Sequence, residues 1–459
     1  MAGSEVLPII EGGKGIGVTN GITAGNFAKC GAVGTFSGVN AQYIDDNGVY
    51  HPIIYMGKTR KERHEELVEY GIKAAISQAK RAFDIAGKAG KIHMNVLWEM
   101  GGASRVLHGV LEKAKDLING ITCGAGMPYK LSEIADKYKV HYYPIVSSMR
   151  AFRALWKRSY SKCKDLLGGV VYECPWKAGG HNGLSNGECP NSPEEPYQRV
   201  AEIRQFMNEI GLQNVPIIIA GGVWHIKDFE HYLNNPEIGS VAFQFGTRPI
   251  YTQEYEVSAE WKKRLFTLSE GDVYLNRFSP TGFYSSAVNN NFIQNLRTRS
   301  ERQIQISDTL NEFQNTEYKY GPRRRIVYIS AGDAEKTSAW KSQGYTEELK
   351  TPDNTFVFVN PSDKETILAD QRDCMGCLSG CKFSNWSEHN ESHSTGQSPD
   401  PRSFCIQKTL QNAFHTSDIE NNLMFAGYNA FKFKDDTWYQ NGAFVPTIKE
   451  LIERIQTGY

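Results

Sequence analysis

The sequence lacks an excess of either charge. Of its 459 residues, 51 are lysine or arginine and 51 are aspartate or glutamate, so the formal net charge at pH 7 is zero. A balanced chain has no general electrostatic field that attracts nucleic acid or acidic lipid. The tight basic run Arg323-Arg324-Arg325 is predicted to be a solvated turn. We therefore expect neither nucleic acid nor a membrane surface as a partner.

The sequence also lacks long apolar runs. No stretch of about 18 apolar residues occurs, and the N-terminal region does not combine a basic start with a short apolar run. The 9 cysteines are an odd number, which suits a reducing compartment better than a disulfide framework. With 40% hydrophobic and 22% charged residues, most of the chain can bury a core. We expect a cytoplasmic globular protein, as a homodimer.

Short apolar runs alternate with amphipathic stretches through the first 250 positions. This order predicts parallel strands joined by crossover helices. Eight strands are predicted: Leu7–Ile10, Ala32–Ser37, Ile92–Leu97, Ile118–Cys123, His141–Ser147, Gly169–Cys174, Val215–Ala220 and Ser240–Phe245. The helical patterns between them are Arg60–Lys88, Ser104–Asp116, Leu131–Lys139, Met149–Lys162, Pro196–Ile210 and Ile226–Asn234.

Eight strands separated by helices predict an α/β fold, a closed (β/α)8 TIM barrel, over residues 1–255. An open dinucleotide-binding sheet is the alternative, but the run from Gly12 to Gly17 matches the dinucleotide fingerprint poorly. Beyond the barrel we expect an extension of unknown role over 256–373. A cysteine-rich segment over 374–459 is expected to return to the barrel.

Glycine-rich loops follow the seventh and eighth predicted strands. They read Ala220-Gly221-Gly222-Val223 and Gln244-Phe245-Gly246-Thr247-Arg248. These two loops commonly form a phosphate site in barrels, because glycines let backbone N–H groups approach an anion. The alternative is that the glycines only close tight turns.

The loop after the sixth predicted strand contains a histidine between glycines. It reads Lys177-Ala178-Gly179-Gly180-His181-Asn182-Gly183. An imidazole on the catalytic rim of a barrel can act as a general base near neutral pH. His181 is the candidate base, and a surface or hydrogen-bonding histidine is the alternative.

Together these motifs resemble the nitronate monooxygenase family, formerly called 2-nitropropane dioxygenase, whose wider group includes flavin-dependent enoyl-acyl carrier protein reductases. The resemblance also includes Leu7–Gly13 and Met94-Asn95-Val96, and it covers about residues 5–255. It implies an FMN-dependent barrel oxidoreductase with His181 as base. Lys14 stands where relatives often carry a methionine. The implied flavin contacts are Gly12, Gly13, Asn95, Gly179, Gly180 and Gln244, with the phosphate at Gly221, Gly222, Gly246 and Thr247.

Four cysteines crowd into the C-terminal part of the chain. Two residues separate Cys374 from Cys377, and three separate Cys377 from Cys381. Cys405 follows after a polar loop. This spacing suits an iron–sulfur cluster, or zinc with His389 or His393 in place of one cysteine, and inert thiols remain a third interpretation. Because the flavin loops lie far away in sequence, replacing one cysteine is expected to spare FMN.

The tail resembles one branch of the family, the flavin and iron–sulfur acyl-acyl carrier protein dehydrogenase/isomerases of unsaturated fatty acid synthesis. The resemblance runs from Cys405 through Phe425–Ala430 to Thr447–Ile452. It implies a 4Fe-4S cluster and an acyl thioester on a carrier protein as substrate. The alternatives are a nitronate monooxygenase that uses O2, a flavin-dependent enoyl-acyl carrier protein reductase, and a non-catalytic flavin or iron–sulfur sensor that binds a partner.

Overall fold

Eight parallel strands close into a barrel in the structure, a computed structural model that describes residues 5–87, 90–412 and 416–458. The first strand pairs with the eighth through Ile10 and Gln244, and with the second through Ile10 and Val33. The predicted TIM barrel is therefore confirmed. The strands are Ile9–Glu11, Val33–Ser37, Lys91–Leu97, Gly120–Gly124, His141–Val146, Val170–Glu173, Ile217–Ala220 and Val241–Phe245.

Apolar side chains fill the inside of the barrel. They form a cluster of their own, which consists of Ile10, Val33, Tyr143, Val171, Ile218, Ala220 and Ala242. Alternate residues such as Ile9 and Ile219 point outward into a larger core between the strands and the helices. The filled interior leaves the carboxyl ends of the strands as the place for a ligand.

Helices surround the barrel close to the predicted positions. The helix Arg60–Ala86 begins with a capping box, in which Thr59 Oγ1 accepts from Glu62 N at 3.2 Å and the Glu62 carboxylate accepts from Thr59 N at 2.8 Å. The other predicted helices are found at Ala103–Ala114, Leu131–Tyr138, Met149–Arg158 and Pro196–Glu209, and the segment Ile226–Tyr232 is a 3-10 helix. The helix Gly21–Lys29 was not predicted.

The residues after the barrel add several elements. The strands Val273–Asn276 and Ser285–Val288 form an antiparallel sheet with Gly180–His181, so this part of the chain contacts the loop after the sixth barrel strand. A small α/β region follows, with its own apolar cluster around Phe356 and Phe358. The elements that complete this part are the helices Ala259–Leu265, Asn291–Glu301, Ala331–Ser342 and Pro361–Arg372 and the strands Gln303–Gln305, Thr316–Tyr320, Arg325–Ile329, Glu347–Lys350 and Thr355–Val359.

The C-terminal part of the chain packs back onto the barrel. The helix Ile448–Thr457 buries Ile448, Leu451, Ile452 and Ile455 in the main core. Ile448 N donates to the Glu254 carboxylate at 3.0 Å. The remaining elements are the short strands Tyr43–Ile44, Tyr50–His51, Gly380–Cys381 and Trp386–Ser387 and the helices Ile406–Asn412 and Lys432–Asp435. In the described ranges, no helix has the length and apolar character needed to cross a membrane.

Candidate active site

One large cavity lies at the carboxyl ends of the barrel strands. Its empty volume, which includes open solvent at its mouth, is about 1690 Å3. All of the residues for which flavin contacts were predicted line it, together with the predicted base. They are Gly12, Gly13, Asn95, Gly179, Gly180, His181, Gly221, Gly222, Gln244, Gly246 and Thr247.

The glycines of the two predicted phosphate loops differ in the structural reason for having no side chain. Gly221 and Gly222 have φ angles of +87° and +78°, so their backbone conformation alone favours glycine. Gly246 does not have such a φ, and a Cβ atom added to it would meet no described atom within 4 Å. Neither backbone conformation nor packing explains this glycine. A ligand that approaches the backbone would explain it.

The C-terminal segment covers these two loops. Gly427 N donates to Thr247 Oγ1 at 2.9 Å, and Asn429 Nδ2 donates to the Gly222 carbonyl at 2.6 Å. Gly427 and Asn429 also line the cavity. The loops after the seventh and eighth strands are therefore fixed by residues nearly 200 positions later.

Lys177 lies beside the same loops. A Cβ atom on Gly222 would be 3.0 Å from the Lys177 side chain, and Lys177 lines the cavity. Within the described ranges its ammonium group has no hydrogen bond or ion pair. The cavity therefore has an unpaired cation at its glycine-rich end.

His181 is held by a residue from beyond the barrel. Its Nε2 atom lies 2.6 Å from Ser279 Oγ, and its ring meets the edge of Phe425 with the centroids 5.5 Å apart. Burial lowers the pKa of His181 to about 4, so the imidazole is neutral at neutral pH. A neutral, oriented imidazole on the cavity wall is suited to accept a proton.

Lys14 occupies the position where relatives often carry a methionine. Its ammonium group donates to the Gly12 carbonyl at 2.6 Å and lies 5.1 Å from the centre of the Tyr255 ring. Burial raises the pKa of Glu11, whose carboxylate accepts from Tyr255 Oη at 2.5 Å, and the charge of Lys14 opposes this shift. Lys14 thus offsets a buried acid behind the first barrel strand.

Asn95 and Gly13 fit closely against each other. A Cβ atom on Gly13 would lie 2.3 Å from Asn95 Cβ, so a side chain there is excluded. Thr122 Oγ1 donates to Asn95 Oδ1 at 2.9 Å, and this bond orients the amide. The close approach explains the second glycine of the pair after the first strand.

Glu173 is a cavity residue that the sequence patterns did not single out. It ends the sixth barrel strand, and burial raises the pKa of its carboxyl group to about 8. Its carboxyl group has no hydrogen bond or ion pair to any other residue in the part of the chain that the structure describes. Its position at a strand end was the available signal, because that is where barrels place reactive groups.

The C-terminal cysteines gather against the cavity wall. Cys374, Cys377 and Cys381 are buried in one cluster, against which Cys405 packs. Burial, and then the neighbouring thiols, raise the pKa of Cys377. Cys377 lines the cavity, and its carbonyl accepts from Gly101 N at 2.9 Å. A cysteine replacement was expected to spare FMN because the flavin loops lie far away in sequence. That reasoning is wrong, because Cys377 and the flavin loops line the same cavity in the fold.

The predicted metal site is not assembled in bonding geometry. Among residues 5–87, 90–412 and 416–458, no group of three or more histidine, cysteine, aspartate or glutamate side chains is arranged to hold a metal ion. The candidate zinc ligands also lie apart, since the His389 side chain is 73% exposed and His393 stacks on Trp386. Among the described residues, the structure therefore supports neither the predicted iron–sulfur site nor the zinc alternative.

Two hydrogen-bond donors contact the Cys374 thiol. Ser384 O–H donates to Cys374 Sγ at 3.1 Å, and Gly376 N–H donates to the same atom at 3.4 Å. Tyr55 Oη and Trp386 Nε1 are buried without a hydrogen-bond partner in the described chain. Burial, and then the nearby Cys377, raise the pKa of Tyr55. Buried donors normally have a hydrogen-bond acceptor, so a bound group that supplies acceptors would fit beside Tyr55 and Trp386.

The closed barrel thus has a cavity at the carboxyl ends of its strands, with a neutral histidine on the cavity wall. Residues 4–352 match the sequence profile of nitronate monooxygenase, and the chain belongs to this family of flavin-dependent oxidoreductases. No curated protein matches the chain.

Two solved structures share the fold over nearly the whole chain. FabK from Thermotoga maritima is 14% identical with a TM-score of 0.53, and the match covers 98% of this chain and 91% of that one. The enoyl reductase domain of MlnA from the macrolactin biosynthesis cluster of Bacillus amyloliquefaciens is 11% identical with a TM-score of 0.56, covering 98% and 92%. At these identities the likeness shows the fold alone.

Proposed function

We propose that the protein is an FMN-dependent acyl-acyl carrier protein dehydrogenase/isomerase with an iron–sulfur cluster beside the flavin. The observation that carries the proposal is that Cys377 and His181 line the same cavity. A cysteine segment in that position belongs to the reaction centre rather than to a distant stabilising site.

FMN fits the cavity on three counts. The open space beside Gly246 and the unpaired Lys177 suit a phosphate, and the loops after strands seven and eight are the usual phosphate site of barrels. The unpartnered carboxyl of Glu173 suits the hydroxyl groups of a ribityl chain. When bound, FMN supplies a two-electron acceptor for hydride.

His181 is the proposed base for the α-proton of an acyl thioester. Removal of this proton and departure of the β-hydrogen as hydride leave a double bond between the α and β carbons. For the isomerisation, His181 first releases that proton; it then removes a γ-proton, and protonation of the α carbon moves the double bond to the β and γ carbons. Because the imidazole is neutral above pH about 4, it is ready to accept the proton at neutral pH. Molecular oxygen is the proposed final electron acceptor.

An iron–sulfur cluster is the proposed occupant of the cysteine site. Thiolates and inorganic sulfides accept hydrogen bonds, and the unpartnered donors of Tyr55 and Trp386 need acceptors. Inert thiols would leave both donors unsatisfied in a buried place, at a cost of about 1–3 kcal/mol each. The proposal is tested by iron and zinc analysis of protein isolated without oxygen. Stoichiometric zinc without iron contradicts it.

The substrate is tested by anaerobic mixing of the holoenzyme with three reductants. We expect an acyl thioester on a carrier protein to bleach the flavin, whereas an alkyl nitronate and NAD(P)H do not. The matched control is His181→Gln, which should bind FMN and leave it oxidised. The family profile itself supports one rival: bleaching by the nitronate alone assigns a nitronate monooxygenase. Bleaching by NAD(P)H alone assigns an enoyl reductase.

A further inference from the structure

The hydroxyl group of Ser279 is the feature beyond the family motifs that directly contacts the proposed base. Ser279 is 2% exposed, and its Oγ atom lies 2.6 Å from His181 Nε2. It lies between the strands Val273–Asn276 and Ser285–Val288, outside the barrel. Backbone pairing of Ser285 with His181 holds this segment against the histidine loop.

Thr281 is the second hydrogen-bond partner of the Ser279 hydroxyl group. The Oγ atoms of the two residues are 2.9 Å apart, and Thr281 N donates to Ser279 Oγ at 3.3 Å. Phe283 N donates to Thr281 Oγ1 at 3.2 Å. This arrangement allows Ser279 to donate its proton to Thr281 Oγ1 and to accept from His181 Nε2–H.

The other ring nitrogen of His181 is the one left for a ligand. Nδ1 has no hydrogen-bond partner in the described part of the chain, and His181 lines the cavity. A base must present an unprotonated nitrogen to the substrate. If Nε2 instead accepted from Ser279, Nδ1 would carry the proton and neither nitrogen could accept another.

We propose that Ser279, supported by Thr281, is a positioning residue that holds His181 in the tautomer with the proton on Nε2, so that Nδ1 takes the substrate proton. When Nδ1 accepts the proton, the imidazolium still donates from Nε2 to Ser279 Oγ, and no side chain has to turn. Phe425 supports the ring plane through its edge contact. The proposal rests on His181 as the base of the proposed function, but its geometry does not depend on which carbon acid is bound.

The tautomer can be measured without turnover. In holoenzyme labelled with 15N in its histidine rings, His181 is identified by the signals that disappear in His181→Gln. At pH 7 we expect Nδ1 to show the shift of an unprotonated nitrogen and Nε2 that of a protonated one. Ser279→Ala should give a mixture of tautomers, and Ser279→Thr, which keeps a hydroxyl group, should restore the wild-type pattern. A protonated Nδ1 in the wild type overturns the proposal, and so does an unchanged pattern in Ser279→Ala.

Kinetics give the second readout. Ser279→Ala should slow flavin reduction about 10²-fold with little change in KM, because a misplaced base loses the aligned geometry. Ser279→Thr should recover most of the rate, and Ser338→Ala, an exposed helical serine away from the cavity, should match the wild type. Equal rates in Ser279→Ala and wild type overturn the positioning role. Absence of reduction in the wild type instead contradicts the proposed substrate, while the NMR result stands on its own.

Discussion

At the scale of single residues, Gly246 gives the sharpest test of the phosphate site, because nothing in the described chain requires a glycine there. We expect Gly246→Val to fold normally and to bind FMN about 10- to 100-fold more weakly, as overpacking a close contact costs about 1–3 kcal/mol. Titration of the apoprotein with FMN measures the loss. Gly332→Ala is the control, since Gly332 also has open space around it but lies on the helix Ala331–Ser342. Wild-type affinity in Gly246→Val would place the phosphate elsewhere.

Lys177 is expected to distinguish FMN from riboflavin. Lys177→Met should weaken FMN binding by roughly tenfold or more, because a charged hydrogen bond contributes about 1.5–3 kcal/mol, and should leave riboflavin binding nearly unchanged. Both affinities are measured by calorimetry at two salt concentrations. The exposed Lys157 provides the control variant Lys157→Met. Equal losses for the two flavins would show that Lys177 does not contact the phosphate.

The depressed pKa of His181 predicts an unusual pH profile. A free histidine becomes protonated below about pH 6.5 and stops acting as a base. Since burial lowers the pKa of His181 to about 4, the rate of flavin reduction should stay constant from pH 7 to pH 5 and fall only near pH 4. Stopped-flow measurements across this range check the prediction. A tenfold loss between pH 7 and pH 5 would mean that another group acts as the base.

At the scale of elements, a substitution in the cysteine segment is expected to change both the metal content of the protein and the surroundings of the flavin. Cys374→Ser should lower the iron content and also change the flavin absorption, because Cys377 and Leu378 form part of the cavity wall. Iron analysis and a visible spectrum of the same sample give both readouts. Cys189→Ser is the control, since Cys189 is exposed and outside the cavity lining. An unchanged flavin spectrum after loss of iron would show that the wall keeps its shape without the cluster.

Two helices show why some elements could be predicted from the sequence and others could not. They are stabilised in different ways. The helix Arg60–Ala86 has a clear apolar face and a capping box, both of which are visible in the sequence. The helix Gly21–Lys29 contains Gly21 and Gly25, which oppose helix formation, and it was not predicted. A Cβ atom on Gly21 would lie 2.7 Å from the Gln78 carbonyl, so close packing between the two helices requires glycine there. Tertiary contact of this kind leaves no periodic pattern.

At the scale of the whole molecule, the C-terminal helix is expected to stabilise the barrel. Leu451 is fully buried in the core that the barrel shares with the helix Ile448–Thr457. Leu451→Ala should lower the free energy of unfolding by about 2–5 kcal/mol. Urea denaturation followed by tryptophan fluorescence measures the change, and Lys449→Ala on the exposed face is the control. A change below about 0.5 kcal/mol would show that the helix can detach without affecting the barrel.

The barrel and its glycine loops could be predicted because they depend on local signals. Apolar runs mark the strands, and their order fixes which loops meet at one end of the barrel. The contacts that complete the cavity could not be predicted in this way. Ser279, Gly427 and Asn429 come from segments without a recognisable period, and only the fold brings them to His181 and to the phosphate loops.

The covering of the phosphate loops by Gly427 and Asn429 has a consequence for biosynthesis. A ribosome makes a chain in one direction, so all eight barrel strands, which end at Phe245, emerge long before these two residues. Until Asn429 has emerged, Thr247 and the Gly222 carbonyl lack the bonds that fix the loops. Nascent chains arrested before that point should therefore release FMN quickly, and stable loading of the cofactor should begin only once Asn429 has emerged.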